Sequence, residues 1–165
     1  MAVKRTLFTS DLYVIDMSSL KELHDRYPKK TFPSIWDKIN TLISEGQLYS
    51  HIEVYREIKN TTNPKDKLLL WSNKYKKIFL GIDDCQRKKI TLIKVKYNPS
   101  YWQNKINRPG PWADPNLIAI AICEQAIIVT QEHKTKNNNI PPIASQFEIH
   151  SLNLLELFQE LKIKL

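Results

Sequence analysis

Residues 12–16 have the sequence Leu-Tyr-Val-Ile-Asp, an unbroken apolar run that ends in an acid. Such a run is typical of a buried strand, and parallel sheets place their functional sites beyond the carboxyl ends of the strands. Residues 127–131 form a second run of this kind, and Glu132 follows it. The two runs predict two buried strands, each with an acid just past its carboxyl end: Asp16 and Glu132.

Strand and helix patterns alternate along the rest of the chain. Strands are predicted over 12–16, 47–50, 127–130 and 149–153. Helices are predicted over 18–27, 34–46, 51–60, 65–79, 83–97, 115–125 and 154–162, with a short helix after Pro141-Pro142, although 83–97 also fits a strand. Residues 98–113 and 133–139 are predicted to be loops. This order predicts an α/β fold with a central, mainly parallel sheet and helices on both faces, and residues 1–165 are expected to form a single domain.

The composition narrows the class of function. The chain has 165 residues, and its excess of Lys and Arg gives a net charge of +8 and a pI near 9.4. A basic excess favours binding to polyanions, although it also fits a protein from a Lys-rich and Asn-rich proteome. Glycine occurs only at positions 46, 81 and 110, which excludes the Gly-rich phosphate loops of Walker and dinucleotide-binding proteins.

The cysteines and the start of the chain bear on location. Cys85 and Cys123 lack zinc-type spacing and lie among apolar residues, so a pair of buried free thiols is predicted. The first residues contain no long apolar segment because Asp11 interrupts it, which argues against a signal peptide. No apolar run is long enough to span a membrane. A cytoplasmic protein without a membrane partner is therefore expected.

Two further acids lie beside apolar segments. Glu57 is part of Val-Tyr-Arg-Glu-Ile over 54–58, and Asp114 precedes Pro115 at the start of an apolar helix pattern. If the fold brings all four acids together, they cannot all stay ionised without a counter-charge. Mg²⁺ or Mn²⁺ would supply it, because these ions prefer carboxylate and water oxygens. The acids therefore predict a carboxylate-held metal site, which in a basic protein suggests phosphodiester hydrolysis.

Each of these acids also has an ordinary structural alternative. Asp16 could cap the helix over 18–27, and Asp114 could cap the helix that follows it. Glu57 could be a solvent-facing helical residue, as could Glu53 one turn earlier, and Glu132 could be a plain loop acid. Helix capping and metal binding are compatible, so these alternatives stay open.

Taken in order, the motifs resemble those of the PIN-domain nucleases. The matching segments are Tyr13-Val14-Ile15-Asp16-Met17-Ser18-Ser19-Leu20, Val54-Tyr55-Arg56-Glu57-Ile58, Asp114-Pro115-x-Leu117-Ile118-Ala119 and Val129-Thr130-Gln131-Glu132. The chain looks most similar to an uncharacterised PIN-like subfamily, which is itself similar to VapC-type toxins. Two positions depart from the usual pattern: Met17 stands where a small residue or Thr is commoner, and Glu132 where most PIN domains have Asp.

The resemblance implies a fold and a set of site residues. The fold would be a PIN-like three-layer α/β/α sandwich. The catalytic residues, which are also the metal ligands, would be Asp16, Glu57, Asp114 and Glu132. Ser18 and Thr130 would support them.

The resemblance also implies a function. The chain would be a metal-dependent endoribonuclease that uses Mg²⁺ or Mn²⁺ and leaves a 5′-phosphate and a 3′-hydroxyl. It would be the toxin half of a toxin–antitoxin pair, so RNA and an antitoxin protein are the expected partners, and a homodimer is expected as well. Lys134 and Lys136 could bind RNA, or could belong to a solvated loop, whereas Trp102 and Trp112 are expected in the core rather than stacked on bases.

Two other functions are alternatives to nuclease activity. The first is that of a PIN-like module that binds RNA or a protein without cutting it, and Met17 and Glu132 leave room for this. A dehalogenase-type phosphatase needs a second Asp two positions after the first, where this chain has Ser18. A receiver domain needs neighbouring acids ahead of its phosphorylated Asp, and these are missing. Phosphotransfer is therefore the weakest of the three.

Overall fold

The structure is a computed structural model that describes residues 11–165. The segment 1–10, for which the sequence argues against a signal peptide, lies outside the described residues. Within the described part, no helix has both the length and the apolar character that a membrane span requires.

A five-stranded sheet forms the centre of the molecule. Its strands are β1 (Tyr13–Ile15), β2 (Leu48–His51), β3 (Phe79–Leu80), β4 (Ile127–Val129) and β5 (Ser151–Leu152). They lie in the order β3-β2-β1-β4-β5, and every neighbouring pair is parallel. Because all strands run the same way, the residues that follow β1 and β4 leave the sheet at the same edge. The predicted parallel sheet is confirmed, and it aligns the segments after Ile15 and Val129.

Helices connect the strands and flank the sheet. They are α1 (Met17–Arg26), α2 (Pro33–Ser44), α3 (Ile52–Thr61), α4 (Lys67–Lys74), α5 (Asp84–Lys94), α6 (Pro99–Asn107), α7 (Asp114–Glu124), α8 (Ile140–Ser145) and α9 (Leu154–Glu160), with a short 3-10 helix at Lys76–Ile78. Helix α7 contacts β1, β2 and β4. Its run 117–121 is fully buried, as expected for a helix that is apolar on nearly all sides.

Two segments differ from the sequence prediction. The predicted loop over 98–113 contains α6, because Asn98 accepts hydrogen bonds from the Ser100 and Tyr101 amides and Pro99 fits the first helical position. The helix predicted over 65–79 ends at Lys74, and the chain then forms the 3-10 helix and strand β3. The first correction matters for the site, since α6 leads directly into the segment that carries Asp114.

The two cysteines do not match their prediction. Instead of buried free thiols, Cys85 and Cys123 form a disulfide that joins α5 to α7. Cys85 is exposed and Cys123 is half-buried. Sequence spacing could not predict the pair, because the two residues are separated by 38 positions and meet only when α5 packs on α7.

Candidate active site at the carboxyl edge of the sheet

Asp16 lies at the centre of the site, where β1 gives way to α1. Its carboxylate is 4% exposed and accepts hydrogen bonds from the Ser19 amide at 2.8 Å, from Ser18 Oγ at 2.8 Å and from Thr130 Oγ1 at 2.6 Å. Asp16 is therefore the N-cap of α1, which confirms the capping role considered for it. Burial raises the pKa of Asp16 to about 6, although these hydrogen bonds act to lower it.

The two hydroxyl groups beside Asp16 have their protons directed at it. Ser18 Oγ accepts the Gln131 amide at 3.0 Å, and Thr130 Oγ1 accepts the Glu132 amide at 3.1 Å. Because each hydroxyl already accepts a backbone N–H, its own proton is free to be donated to the Asp16 carboxylate. Ser18 and Thr130 thus tie the end of β4 to the start of α1 and fix the orientation of Asp16.

Glu57 and Glu132 each bind a backbone amide through one carboxylate oxygen. Glu57 Oε1 accepts the Ala113 amide at 2.8 Å, and Glu132 Oε2 accepts the Ile140 amide at 2.6 Å. Ile140 is the first residue of α8, and the two prolines after it have no N–H, so Glu132 satisfies the free donor at this helix end. Within the described residues, the other oxygen of each carboxylate has no hydrogen bond. These second oxygens are the ones left to contact a ligand.

Asp114 occupies the first position of α7 and does not cap it. The N-cap residue is Ala113, and no side chain caps this helix, so the capping alternative for Asp114 is wrong. Burial raises the pKa of Asp114, while Trp112 and Lys105 act to lower it. The indole of Trp112 lies near enough to influence Asp114, yet its Nε1 makes no hydrogen bond of acceptable geometry. Asp114 is thus a half-buried carboxylate without a structural task of its own.

The four acids lie close enough to repel one another. Burial, followed by the nearby Asp114 charge, raises the pKa of Glu132 to about 8. Burial also raises the pKa of Glu57 to about 7, and the charges of Asp114 and Asp16 add to this shift. The charge of Asp114 also raises the pKa of Asp16, although the two residues are separated by nearly a hundred positions in the chain.

The donor set suits a hard divalent cation, but the side chains do not surround one. Within residues 11–165, no three or more His, Cys, Asp or Glu side chains are arranged to hold a metal ion. Two of the acids, Glu57 and Glu132, point one oxygen at a backbone amide. Their chemistry still fits Mg²⁺ or Mn²⁺, because the donors are carboxylates and their pKa values stay raised although the Lys105 charge lowers those of Asp114 and Glu132.

A cation beside the acids, Lys105, was missed by the sequence analysis. Lys105 Nζ lies 5.5 Å from the ring centroid of Tyr101 and 5.9 Å from that of Trp112. Its charge lowers the pKa of both Asp114 and Glu132. The sequence does signal this helix, because Asn98 and Pro99 are typical of the N-cap and first position of a helix, and this helix carries Lys105. Residues 98–113 were expected to form a loop, so the helical spacing of Tyr101 and Lys105, four positions apart, was not recognised.

The two tryptophans that were expected in the core, Trp102 and Trp112, are buried to different extents. Trp102 is buried, whereas Trp112 is half-buried at the edge of the core. Their ring centroids lie 5.1 Å apart, and both rings also pack on Tyr97.

The two lysines considered for RNA binding differ in their surroundings. Lys134 Nζ lies 2.7 Å from Glu156 Oε2, so its charge is already paired with an acid of α9. Lys136 is exposed to solvent. The loop that carries both of them follows Glu132 and lies beside the site.

Comparisons with known proteins place the chain in a family. Residues 13–165 match the family described as "Domain of unknown function (DUF4411)". The chain belongs to the DUF4411 family. A search of curated proteins finds no match for this DUF4411 protein.

The fold of the DUF4411 protein is similar to that of a solved structure. The structure is described as the crystal structure of VapBC2 from Rickettsia felis bound to a DNA fragment from their promoter. The TM-score is 0.52 at 14% sequence identity, and the alignment covers 86% of this chain and 98% of that chain. At 14% identity, this similarity is evidence for the fold alone. Together with the parallel sheet and its flanking helices, it confirms the PIN-like α/β/α architecture.

Proposed function

We propose that this DUF4411 protein is a metal-dependent endoribonuclease that acts as the toxin of a toxin–antitoxin pair. The observation that carries the proposal is the convergence of Asp16, Glu57, Asp114 and Glu132 at the carboxyl edge of a parallel sheet in a PIN-like fold. Acids that repel one another in a buried site need a counter-charge. A divalent cation meets that need and matches hydrolysis of a phosphodiester.

Each residue has a definable part in this activity. Asp16, Asp114 and the free oxygens of Glu57 and Glu132 would hold the metal. When bound, the ion would acidify a water molecule and stabilise the charge that develops on the phosphate oxygens. Ser18 and Thr130 keep Asp16 in place through their hydrogen bonds. Lys105 adds a positive charge at the edge of the acids, where a phosphate would approach.

The fold comparison supports the proposed partner. The similar structure is of VapBC2 on promoter DNA, and the sequence resembles VapC-type toxins, so an antitoxin protein is the partner we propose. RNA as the substrate, a homodimer and a cytoplasmic location belong to the same proposal. The net charge of +8 agrees with a polyanionic substrate.

The test is cleavage of RNA by the purified chain with Mn²⁺ or Mg²⁺. EDTA is expected to abolish cleavage, and Asp16→Asn is expected to reduce it by about a hundredfold or more. Asn keeps the helix cap at this position, so the variant should stay folded. Asp37→Asn removes an exposed acid of α2 and serves as the matched control. Full activity of Asp16→Asn, with normal melting behaviour, would contradict the proposal.

A second candidate function is a PIN-like module that binds RNA or a protein without cutting. It is favoured by the absence, within residues 11–165, of a ready-made group of metal-binding side chains. It is also favoured by the amide contacts that occupy one oxygen of Glu57 and of Glu132. This candidate predicts RNA binding that EDTA leaves unchanged, and no metal-dependent products.

A further inference from the structure

A cavity of about 400 Å³ lies on α1, α2 and α4, away from the four acids. Three aromatic rings, those of Trp36, Trp71 and Tyr75, form part of its wall. Four lysines surround it: Lys29, Lys30, Lys67 and Lys74. Its volume falls in the range of small-molecule sites. Among the described residues, no acid lines this cavity.

These lysines form no close ion pair among the described residues, although the charges of Asp25 and Asp66 act on His24 in the same wall. In the described part of the chain, the ion pairs involve other cations, and none of the four cavity lysines takes part in one. The Lys67 and Lys74 side chains come from opposite ends of α4. Lys29 and Lys30 come from the loop after α1. Lys74 Nζ lies 5.4 Å from the ring centroid of Tyr75. A positive rim around a small cavity favours an anionic ligand.

The aromatic wall points to a ligand with a flat apolar part. Trp71 lies 6.3 Å from Trp36 and 5.0 Å from Tyr75, measured between ring centroids. Trp71 and Tyr75 are only half-buried, so part of each ring remains open to a ligand. Inorganic phosphate alone would leave this surface unused. A nucleobase would stack on it, at about 1–3 kcal/mol for a base on an aromatic ring.

Two ring nitrogens behind the wall, one of His24 and one of Trp71, are buried without a partner. His24 Nδ1 lies 2.8 Å from the Leu20 carbonyl, which can only accept, so the proton is on Nδ1 and Nε2 of the neutral ring is an acceptor. Neither His24 Nε2 nor Trp71 Nε1 has a hydrogen-bond partner. The two rings lie 5.2 Å apart. Both nitrogens are buried, so the contact offered to a base comes from the exposed parts of the Trp71 and Tyr75 rings.

We infer that this cavity binds a nucleotide, with the base against Trp71 and Tyr75 and the phosphate among the lysines. The nucleotide could be free, or it could be one unit of an RNA strand. One RNA strand can reach both the acids and the cavity, because α1 begins at the acidic site. His24 lies eight residues after Asp16, roughly 12 Å along the helix. The inference goes beyond the proposed nuclease activity and does not depend on it.

Binding is best measured on the full chain with Asp16→Asn, so that RNA stays intact. The probes are adenosine 5′-monophosphate, ribose 5-phosphate, inorganic phosphate, a short oligoribonucleotide and a peptide rich in Glu and Phe, each titrated by calorimetry. Lys67→Ala/Lys74→Ala removes two cavity charges. Lys88→Ala/Lys94→Ala removes two exposed charges of α5 and is the matched control. Tyr75→Leu tests the ring, and a melting curve verifies that each variant is folded.

Saturable binding of the mononucleotide, about tenfold weaker in Lys67→Ala/Lys74→Ala but unchanged in the α5 control, supports a free-nucleotide site. The same pattern with the oligoribonucleotide alone supports a nucleotide of the RNA strand. Tyr75→Leu should reduce the preference for the mononucleotide over ribose 5-phosphate. Equal weakening by both double variants, binding of the peptide in place of either nucleotide probe, or no saturable binding of any probe would overturn the inference. RNA cleavage by the unmodified chain is scored separately, so failure of the nuclease proposal leaves this result interpretable.

Discussion

At the residue scale, the decisive feature of the site is how each acid is held. Thr130 Oγ1 donates to Asp16 and accepts the Glu132 amide, so one hydroxyl connects two of the acids. Ser18 makes the equivalent connection between Asp16 and the Gln131 amide. Such contacts around a ligand set the orientation of the donors.

Replacing Thr130 tests this connection. Thr130→Val keeps the shape but removes both hydrogen bonds, so Asp16 loses its shortest donor and the Glu132 amide loses its acceptor. The RNA cleavage rate is expected to fall by about 10–100-fold. Thr130→Ser keeps the hydroxyl and should retain most of the activity. Equal rates for the two variants would show that the hydroxyl does not orient the acids.

A second prediction at this scale concerns pH and His51. This residue is 1% exposed, its Nε2 faces Gln86 Oε1 at 3.0 Å, and its Nδ1 accepts the Glu53 amide at the start of α3. Burial lowers the pKa of His51. The unfolded chain therefore binds a proton below a pH of about 6.5 that the folded chain does not bind, and stability falls as the pH drops through this range.

His51→Asn isolates this effect, because Asn can still cap α3 but does not titrate. Burial lowers the pKa of His24 as well, so part of the acid sensitivity should remain in the variant. Urea unfolding at pH 8 and at pH 5.5 is the measurement. The acids of the site change stability in the opposite direction over this range, equally in both proteins. The unfolding free energy at pH 5.5, relative to that at pH 8, should therefore be higher in His51→Asn than in the unmodified chain, and an identical difference would exclude His51 as a source.

At the element scale, the structure explains which parts of the fold could be predicted. Strands β1 and β4 are runs of apolar residues that a central parallel strand requires, so the sequence indicates them directly. Strand β3 has only two residues and follows a helical pattern that continues into it, which concealed it. Helix α6 was concealed in a different way, because most of its residues are exposed and its Pro99 was interpreted as a loop signal.

The candidate site, too, could be predicted only in part from the sequence. The sequence indicates Asp16, Asp114 and Glu132 because each follows or opens an apolar segment, whereas Glu57 is indicated by the resemblance to PIN domains. The amide contacts of Glu57 and Glu132 could not, because they join residues from different elements. Lys105 was missed together with α6, since a side chain cannot be placed at a site before its helix is known.

The disulfide gives a prediction for the packing of α5 on α7. It closes a loop across 38 positions, and in the chain-entropy treatment a loop of this length contributes about 4 kcal/mol. Cys85→Ser/Cys123→Ser should lower the unfolding free energy of the oxidised protein by about 2–4 kcal/mol. A reducing agent should lower the stability of the unmodified chain by a similar amount and leave the double variant unchanged. Since disulfides are rare in the cytosol, this comparison also reports how the chain behaves if the pair is reduced there.

At the scale of the whole molecule, the distribution of charge is uneven. The chain carries a net charge of +8, yet four acids with raised pKa values lie together at one edge of the sheet. Each of them contributes stability that is complete at low pH and is lost as the pH rises through its folded-state pKa, between about 6 and 8 for the three with values. Without a bound metal, these acids therefore lower the free energy of unfolding most strongly above pH 8.

Adding a divalent cation should reverse that loss. A ligand present at about fifty times its dissociation constant stabilises the folded state by about 2 kcal/mol, which corresponds to a rise in Tm of roughly 4–8 °C for a chain of this size. Millimolar Mn²⁺ at pH 8 is expected to raise the Tm of the unmodified chain and of Asp37→Asn, and to leave Asp114→Asn almost unchanged. The rise should shrink at pH 5.5, where protons compete for the same carboxylates. An equal rise in all three proteins would mean that the ion binds elsewhere, because only the edge of the sheet loses a carboxylate in Asp114→Asn.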